Sequence, residues 1–151
     1  MSAITELLKN VSLQKPTSSS VAGQNESTGD MIDMSGFDSV LLIASLGAVT
    51  DNSVITLTAK QGATTVSTGA AILAGTTATV SETSLAVANN NMLAMDIVKP
   101  TDRYIWPIIT ITTANCVIDG VYAIKYGSMK GPTADTSDVV HGVTNITPAE
   151  A

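Results

Sequence analysis

Apolar and polar positions along this chain fall into short blocks that recur about every ten residues, with polar turn residues between them. Residues 54–60 read Val-Ile-Thr-Leu-Thr-Ala-Lys, the alternation of a half-buried strand. Residues 39–49 form a long apolar run, the pattern of a central strand with both faces covered. Residues 31–34 and 92–98 predict shorter strands, and residues 70–73 and 77–80 predict two weak ones punctuated by Gly69 and Gly75. Two β-branched runs, residues 103–113 and 116–126, are separated only by Ala114 and Asn115, which predicts a β-hairpin. Turns are expected at residues 50–53, 61–63, 89–91 and 99–102, and a helical turn within 81–87. The fold class that follows is all-β: an antiparallel β-sandwich of jelly-roll-like type, with a short N-terminal helix or arm and an extended C-terminal tail.

The ends differ from this middle. Ile4, Leu7, Leu8 and Val11 follow helical spacing, and Ser2 is placed to cap a short amphipathic helix over residues 3–11. A lone helix of this length is marginal in water, so its apolar face, with Leu13 just beyond it, must dock. It docks either on its own domain or on a neighbouring subunit or partner. Residues 15–30 are rich in Pro, Ser, Gly and Asn and read as a loop or linker. The expected organisation is therefore an arm and linker over 1–30, a sandwich over 31–127 and a polar tail over 128–151. Pro107 interrupts a strand run, and because proline cannot donate to a ladder, an edge strand or a bulge is expected there.

Composition sharpens the picture. Charged residues are 13% of the 151 positions and aromatics 3%, against a usual charged share of about 25%. Thr, Ala, Val and Ile fill the gap, and the branched ones suit a pleated surface. With a mean hydropathy of +0.30, the core is expected to be thin and built of small side chains, which leaves apolar surface for burial between subunits. Net charge is −6 with pI about 4.4. A nucleic-acid binder needs clustered Lys and Arg to displace counterions, and here the basic residues are scattered. The same sign disfavours an anionic membrane surface. The longest apolar run, residues 40–49, is too short to span a bilayer, and the first residues lack the apolar segment of a signal peptide. Neither nucleic acid nor membrane is expected as a partner.

Reactive chemistry is sparse. The sequence contains no phosphate-binding glycine loop, nucleophile elbow, zinc-protease helix or EF-hand loop. His141, the single histidine, stands in the polar tail, and Cys116 stands among apolar residues where a thiol is buried and inert. Two carboxylate pairs, Asp30/Asp33 and Asp135/Asp138, fall in loops. Acid–base work on sugars would need such a pair across an aromatic-lined groove, for which this chain has few aromatics. Tyr104 and Trp106 share one strand face with Ile108. They suit a packed core, a subunit interface or a sugar-stacking platform. No enzymatic activity, cofactor or metal is expected, and the chain is expected to work through its surface.

Two stretches carry a family likeness. One is Ile32-Asp33-Met34-Ser35-Gly36-Phe37-Asp38-Ser39-Val40 followed by the apolar run to Val49. The other is Lys99-Pro100-Thr101-Asp102-Arg103-Tyr104-Ile105, leading on to Tyr126-Gly127 and a Pro-containing tail. Over roughly residues 30–132, the chain resembles the capsid decoration, or cement, proteins of tailed bacteriophages. The resemblance implies a β-sandwich subunit made in the host cytoplasm. As a homotrimer it would lie on the capsid exterior at local threefold axes, bridging neighbouring major capsid protein subunits. Ile4, Leu7, Leu8, Val11, Leu13, Tyr104 and Trp106 are the candidate contact residues. Two other readings stay open: a phage tail or head-completion component, and a carbohydrate-binding module.

Overall fold

Strand β5 (Phe37–Val49) lies antiparallel between β10 (Cys116–Ser128) and β8 (Met92–Val98), and this trio is the spine of the first sheet. The computed structural model describes residues 7–81 and 88–128. The strands are completed by β1 (Ser12–Thr17), β2 (Ser20–Gly23), β3 (Glu26–Thr28), β4 (Ile32–Asp33), β6 (Val54–Gly62), β7 (Ala71–Ser81) and β9 (Tyr104–Thr112). Sheet one runs β1-β10-β5-β8 with β2 also beside β10, and sheet two runs β3-β9-β6-β7 with β4 also beside β9. All pairings are antiparallel.

The connectivity is that of a jelly roll. β1 and β2 pair with β10, β3 and β4 with β9, β5 with β8, and β6 with β7, so the partners nest like the two arms of one long ribbon. Joining β10 to β5 and β9 to β6 rolls that ribbon into two facing sheets, the β-sandwich expected from the strand spacing.

The core follows from the two-residue side-chain period. Val40, Leu42, Ala44 and Leu46 of β5 point inward with Ile118, Val121 and Ala123 of β10 and Met95 and Ile97 of β8. They meet Ile55, Leu57 and Ala59 of β6 and Ile105, Ile109 and Ile111 of β9. Full burial of each large aliphatic is worth roughly 1.5–3 kcal/mol.

Several expectations change. The runs at 103–113 and 116–126 do not form a hairpin: β9 and β10 belong to different sheets. The link at Ala114 and Asn115 instead carries the chain across the sandwich. It is held by Thr50 N–H on Asn115 O at 2.9 Å and by the Ser53 hydroxyl on Ala114 O at 3.0 Å. A run, a turn and a run mark where strands stop, and an arch between sheets satisfies the same pattern.

Pro107 is not on an edge strand, because β9 has β6 on one side and β3 and β4 on the other. Its missing N–H faces the gap between β3 and β4, and its carbonyl accepts from Gly29 N at 2.8 Å in that gap. The ladder is therefore broken in the neighbour rather than in the strand that holds the proline.

The stretch at 15–30, expected as linker, instead supplies the end of β1 together with β2 and β3, so sandwich strands begin at Ser12 rather than at residue 31. Polar and small residues disguise these strands because they lie at the sheet margins. The helix expected over 3–11 is not seen in its described part, where Leu7–Lys9 is a short 3-10 turn and a strand starts at Ser12. Ile4 lies outside the described residues, as do residues 82–87 of the helical turn expected within 81–87 and the tail from residue 129, while Ser81 ends β7. The two weak strands expected within 70–80 are one strand, β7, interrupted by a bulge of its own between Ile72 and Thr77 that holds Gly75 at φ 79°, where β6 runs straight from Thr58 to Lys60.

Gly29 fits where chain segments come closest. A Cβ there would strike Thr17 Oγ1 and stand 2.9 Å from both Pro107 Cγ and Pro16 O. Gly29→Ala is expected to cost about 1–3 kcal/mol by overpacking, and Leu42→Ala, at a fully buried site, roughly 2–5 kcal/mol. Urea melts of both variants against the parent check this; a Gly29→Ala melt equal to the parent's would contradict the close approach.

Candidate functional site

The two outer faces of the sandwich differ in chemistry. On sheet one, the outward positions form cross-strand rows: Leu13, Ile124, Leu41 and Asp96 in one, Tyr122, Ile43 and Ala94 in the next. Leu13, Leu41, Ile43 and Ile124 are half-buried by their neighbours, and Tyr122 is exposed. At the β8 margin Met92 and Val98 are 65% and 61% exposed. On sheet two, the corresponding rows are Thr110, Thr56 and Thr79, then Ile108, Thr58 and Thr77, then Trp106, Lys60 and the exposed Ile72. The Thr56 and Thr79 hydroxyls bond across strands at 3.1 Å. One face is thus aliphatic, and the other carries a threonine cluster beside Ile108, Trp106 and Ile72.

The Asp96 side of the aliphatic face is held in place by Tyr126. Its hydroxyl donates to both carboxylate oxygens at 2.7 and 2.8 Å, and this contact with Asp96 raises the phenol's pKa. Lys15 Nζ lies 5.5 Å from the Tyr122 ring centroid, a cation over an aromatic face.

One end of the sandwich brings the two likeness-bearing stretches together. Ile32 pairs with Ile105 and Asp33 with Tyr104, and Ser39 pairs with Val98. Met34 N–H donates to Arg103 O at 2.9 Å, and Lys99 N–H to Asp38 O at 2.9 Å. Arg103 grips Asp33 in a fork, Nε to Oδ1 and a terminal nitrogen to Oδ2, both at 2.8 Å. That hydrogen bonding holds the Asp33 carboxyl below its usual range against a burial effect that raises it, aided by Ser35 N–H and by the charges of Arg103 and Lys125. Lys125 donates to Asp33 O at 3.0 Å and sits 5.0 Å from the Phe37 ring centroid. Burial lowers its pKa, opposed by the charge of Asp33.

Gln61 secures the 99–102 loop, donating to Thr101 Oγ1 at 2.7 Å and accepting from Thr101 N–H at 3.2 Å. Between this loop and Phe37 lies a cleft of about 350 Å³ lined also by Met34, Asp38 and Arg103. The Arg103 guanidinium at its wall is already engaged by Asp33, which lies outside the lining, so that side of the cleft is braced.

The expected contact residues disperse. Leu7 is 69% exposed and Leu8 half-buried, while Val11 is buried. Leu13 joins the aliphatic face through Ile124. Tyr104 and Trp106 do lie together, with ring centroids 6.5 Å apart, but Trp106 is only 4% exposed. Gly62 makes room for the indole, since a Cβ there would be 3.3 Å from Trp106 Cζ3. Asp30 and Asp33 do not act as a pair, because Asp33 is committed to Arg103. Asp135, Asp138 and His141 lie outside the described residues. Cys116 is fully buried, and burial, followed by the charge of Asp119, pushes its thiol pKa up to about 11.

Sequence reasoning missed Leu41, Ile43, Tyr122 and Ile124 as surface. The signal was present: β5 and β10 are apolar at both odd and even positions, and only one set can face the core.

No family model matches the chain, and no curated protein matches it. Among solved structures, the chain is similar to one in the structure of infectious bursal disease virus, Gx strain, at 13% identity and a TM-score of 0.49. That match covers 81% of this chain, which spans only 34% of the viral one. It is also similar to the Eiger TNF of S. frugiperda, at 5% identity and a TM-score of 0.37, covering 85% of this chain and 100% of that one.

Asp33 gives a pH test. Because its pKa is lowered on folding, its stabilisation is full above the ordinary carboxylate pKa and is lost as pH falls through the folded value. Asp33→Asn should therefore be less stable than the parent at neutral pH, with the difference shrinking below about pH 4; a gap that persists unchanged into acid would contradict it. Trp106 gives an optical one. Acrylamide and iodide should quench its fluorescence several-fold less than that of free tryptophan, and quenching equal to the free amino acid would contradict its burial.

Proposed function

We propose that the chain is a non-enzymatic virion structural protein of the capsid decoration type, binding the outer shell surface as an oligomer and bridging major capsid subunits. The observation that carries this reading is the aliphatic outer face of sheet one, built from Leu41, Ile43, Tyr122 and Ile124. A rigid sheet face loses little conformational freedom on docking, so apolar burial there goes largely into affinity. Convergence of the stretches around Asp33 and Arg103 adds support, since the residues that carry the decoration-protein likeness form one braced corner. Copies joined in an oligomer would strengthen each weak contact, because later contacts become intramolecular.

The shielded Trp106 speaks against the sugar-platform alternative. Binding to mature particles depleted of this protein tests the proposal. The parent protein should cosediment with the particles. Ile43→Lys, on the outer face and away from the core, should lose at least about tenfold in affinity, or roughly 1.4 kcal/mol, while keeping its thermal midpoint. A folded Ile43→Lys variant that binds as well as the parent would remove sheet one as the contact, and a parent protein that never cosediments would defeat the decoration reading.

A further inference from the structure

Sheet margins expose unpaired main-chain groups, and folded proteins blunt them with charge, proline or shortness. Most margins of this sandwich are blunted in that way. β1 carries Lys15 and Pro16, β3 carries Glu26, β4 carries Asp33 and β8 carries Asp96, while β2 is only 4 residues long. β7 is the exception over its straight run beyond the bulge at Gly75: Thr77–Ser81, Thr-Ala-Thr-Val-Ser, carries no charge and no proline. Among the described residues its ladder is with β6 alone.

The direction of the free groups can be worked out from register. The carbonyl of Pro107 and the N–H of Ile111 bond on the β3 side, so the odd residues of β9 face that way and the even ones face β6. Their partners Thr56 and Thr58 therefore point to β9, and Ile55 and Leu57 point to β7. Val80 and Ala78, opposite Ile55 and Leu57, close the β6–β7 ladder. Thr77, Thr79 and Ser81 are left with N–H and C=O directed off the sheet. Among the described residues these groups meet no main-chain partner. Their side chains are exposed as well.

We infer that this edge pairs with the same edge of a second copy, antiparallel about a twofold axis at Thr79. The occupant is set by chemistry. A twofold places Thr79 against Thr79 and Thr77 against Ser81, so every outward position meets a small hydroxyl residue and no like charges oppose. Thr–Thr pairs already bond across β6 and β7, as Thr56 and Thr79 do at 3.1 Å. Twofold pairing of β8 would instead gather Asp96 carboxylates at the seam. The β7 edge belongs to sheet two, so the aliphatic face of sheet one stays free for its own partner. A twofold contact gives even-numbered assemblies. If the subunits also form trimers, it links one trimer to the next.

Sedimentation velocity of the full chain tests this. The parent protein should run as an even-numbered species. Thr77→Pro, whose lost N–H faces away from β6, should halve that mass without altering the circular dichroism spectrum. Thr79→Lys should do the same, because two lysines then face each other, and an equimolar mixture of Thr79→Lys with Thr79→Glu should regain the parent's mass. A parent protein that is monomeric or purely trimeric overturns the inference, as does a parent mass retained in both single variants or a mixture that fails to reassemble. Each of these leaves particle binding through sheet one standing.

Discussion

The antiparallel register of β5 with β10, from Val49 opposite Cys116 to Phe37 opposite Ser128, is the constraint on which the rest of the molecule depends. It joins the first third of the chain to its late part, so the loop-closure cost is large and must be met by burial. The long inward row of Val40, Leu42, Ala44 and Leu46 against Ile118, Val121 and Ala123 provides that burial. Once β10 lies on β5, β1 has a place on its far side and β8 on the other flank of β5. The start of β5 and the end of β8 then share one end of the sandwich, which is why the Asp33 and Arg103 stretches meet.

The same pairing creates the asymmetry between faces. Two strands apolar at successive positions cannot bury both sets against one opposing sheet, so Leu41, Ile43, Tyr122 and Ile124 emerge on the outside. In sheet two, β6 avoids this by alternating aliphatic residues with threonine, as Val-Ile-Thr-Leu-Thr shows, whereas β9 is apolar at successive positions and buries both sets. The outward chemistry of the two faces is thus written in strand composition. It divides the surface into a face suited to apolar docking and an edge suited to main-chain pairing. Both are ways of acting by association, consistent with a structural role and independent of one another.

Much of this was legible beforehand where a strand's own periodicity carried the information. β8 begins and ends where its apolar block does, at Met92 and Val98, and β5, β6 and β9 lie within a few residues of their predicted bounds. Neighbour relations were not legible. Nothing in Ala114-Asn115 distinguishes a hairpin from an arch, and Pro107 looked like an edge residue because its tolerance depends on the gap between β3 and β4, which is a tertiary fact. β1, β2 and β3 escaped notice because strands at a sheet margin, half in water, keep polar residues that resemble linker. The apolar outer face is visible as excess hydrophobicity in residues 39–49, a pattern that a strand buried on both faces would share.

Imaging the parent particle by electron cryomicroscopy bears most directly on the account. Density for this sandwich should lie on the outside of the shell in many copies, with Leu41, Ile43, Tyr122 and Ile124 turned toward the major capsid subunits. A particle with no external copy of the fold, or one in which that face points to solvent while the threonine face meets the shell, would contradict it.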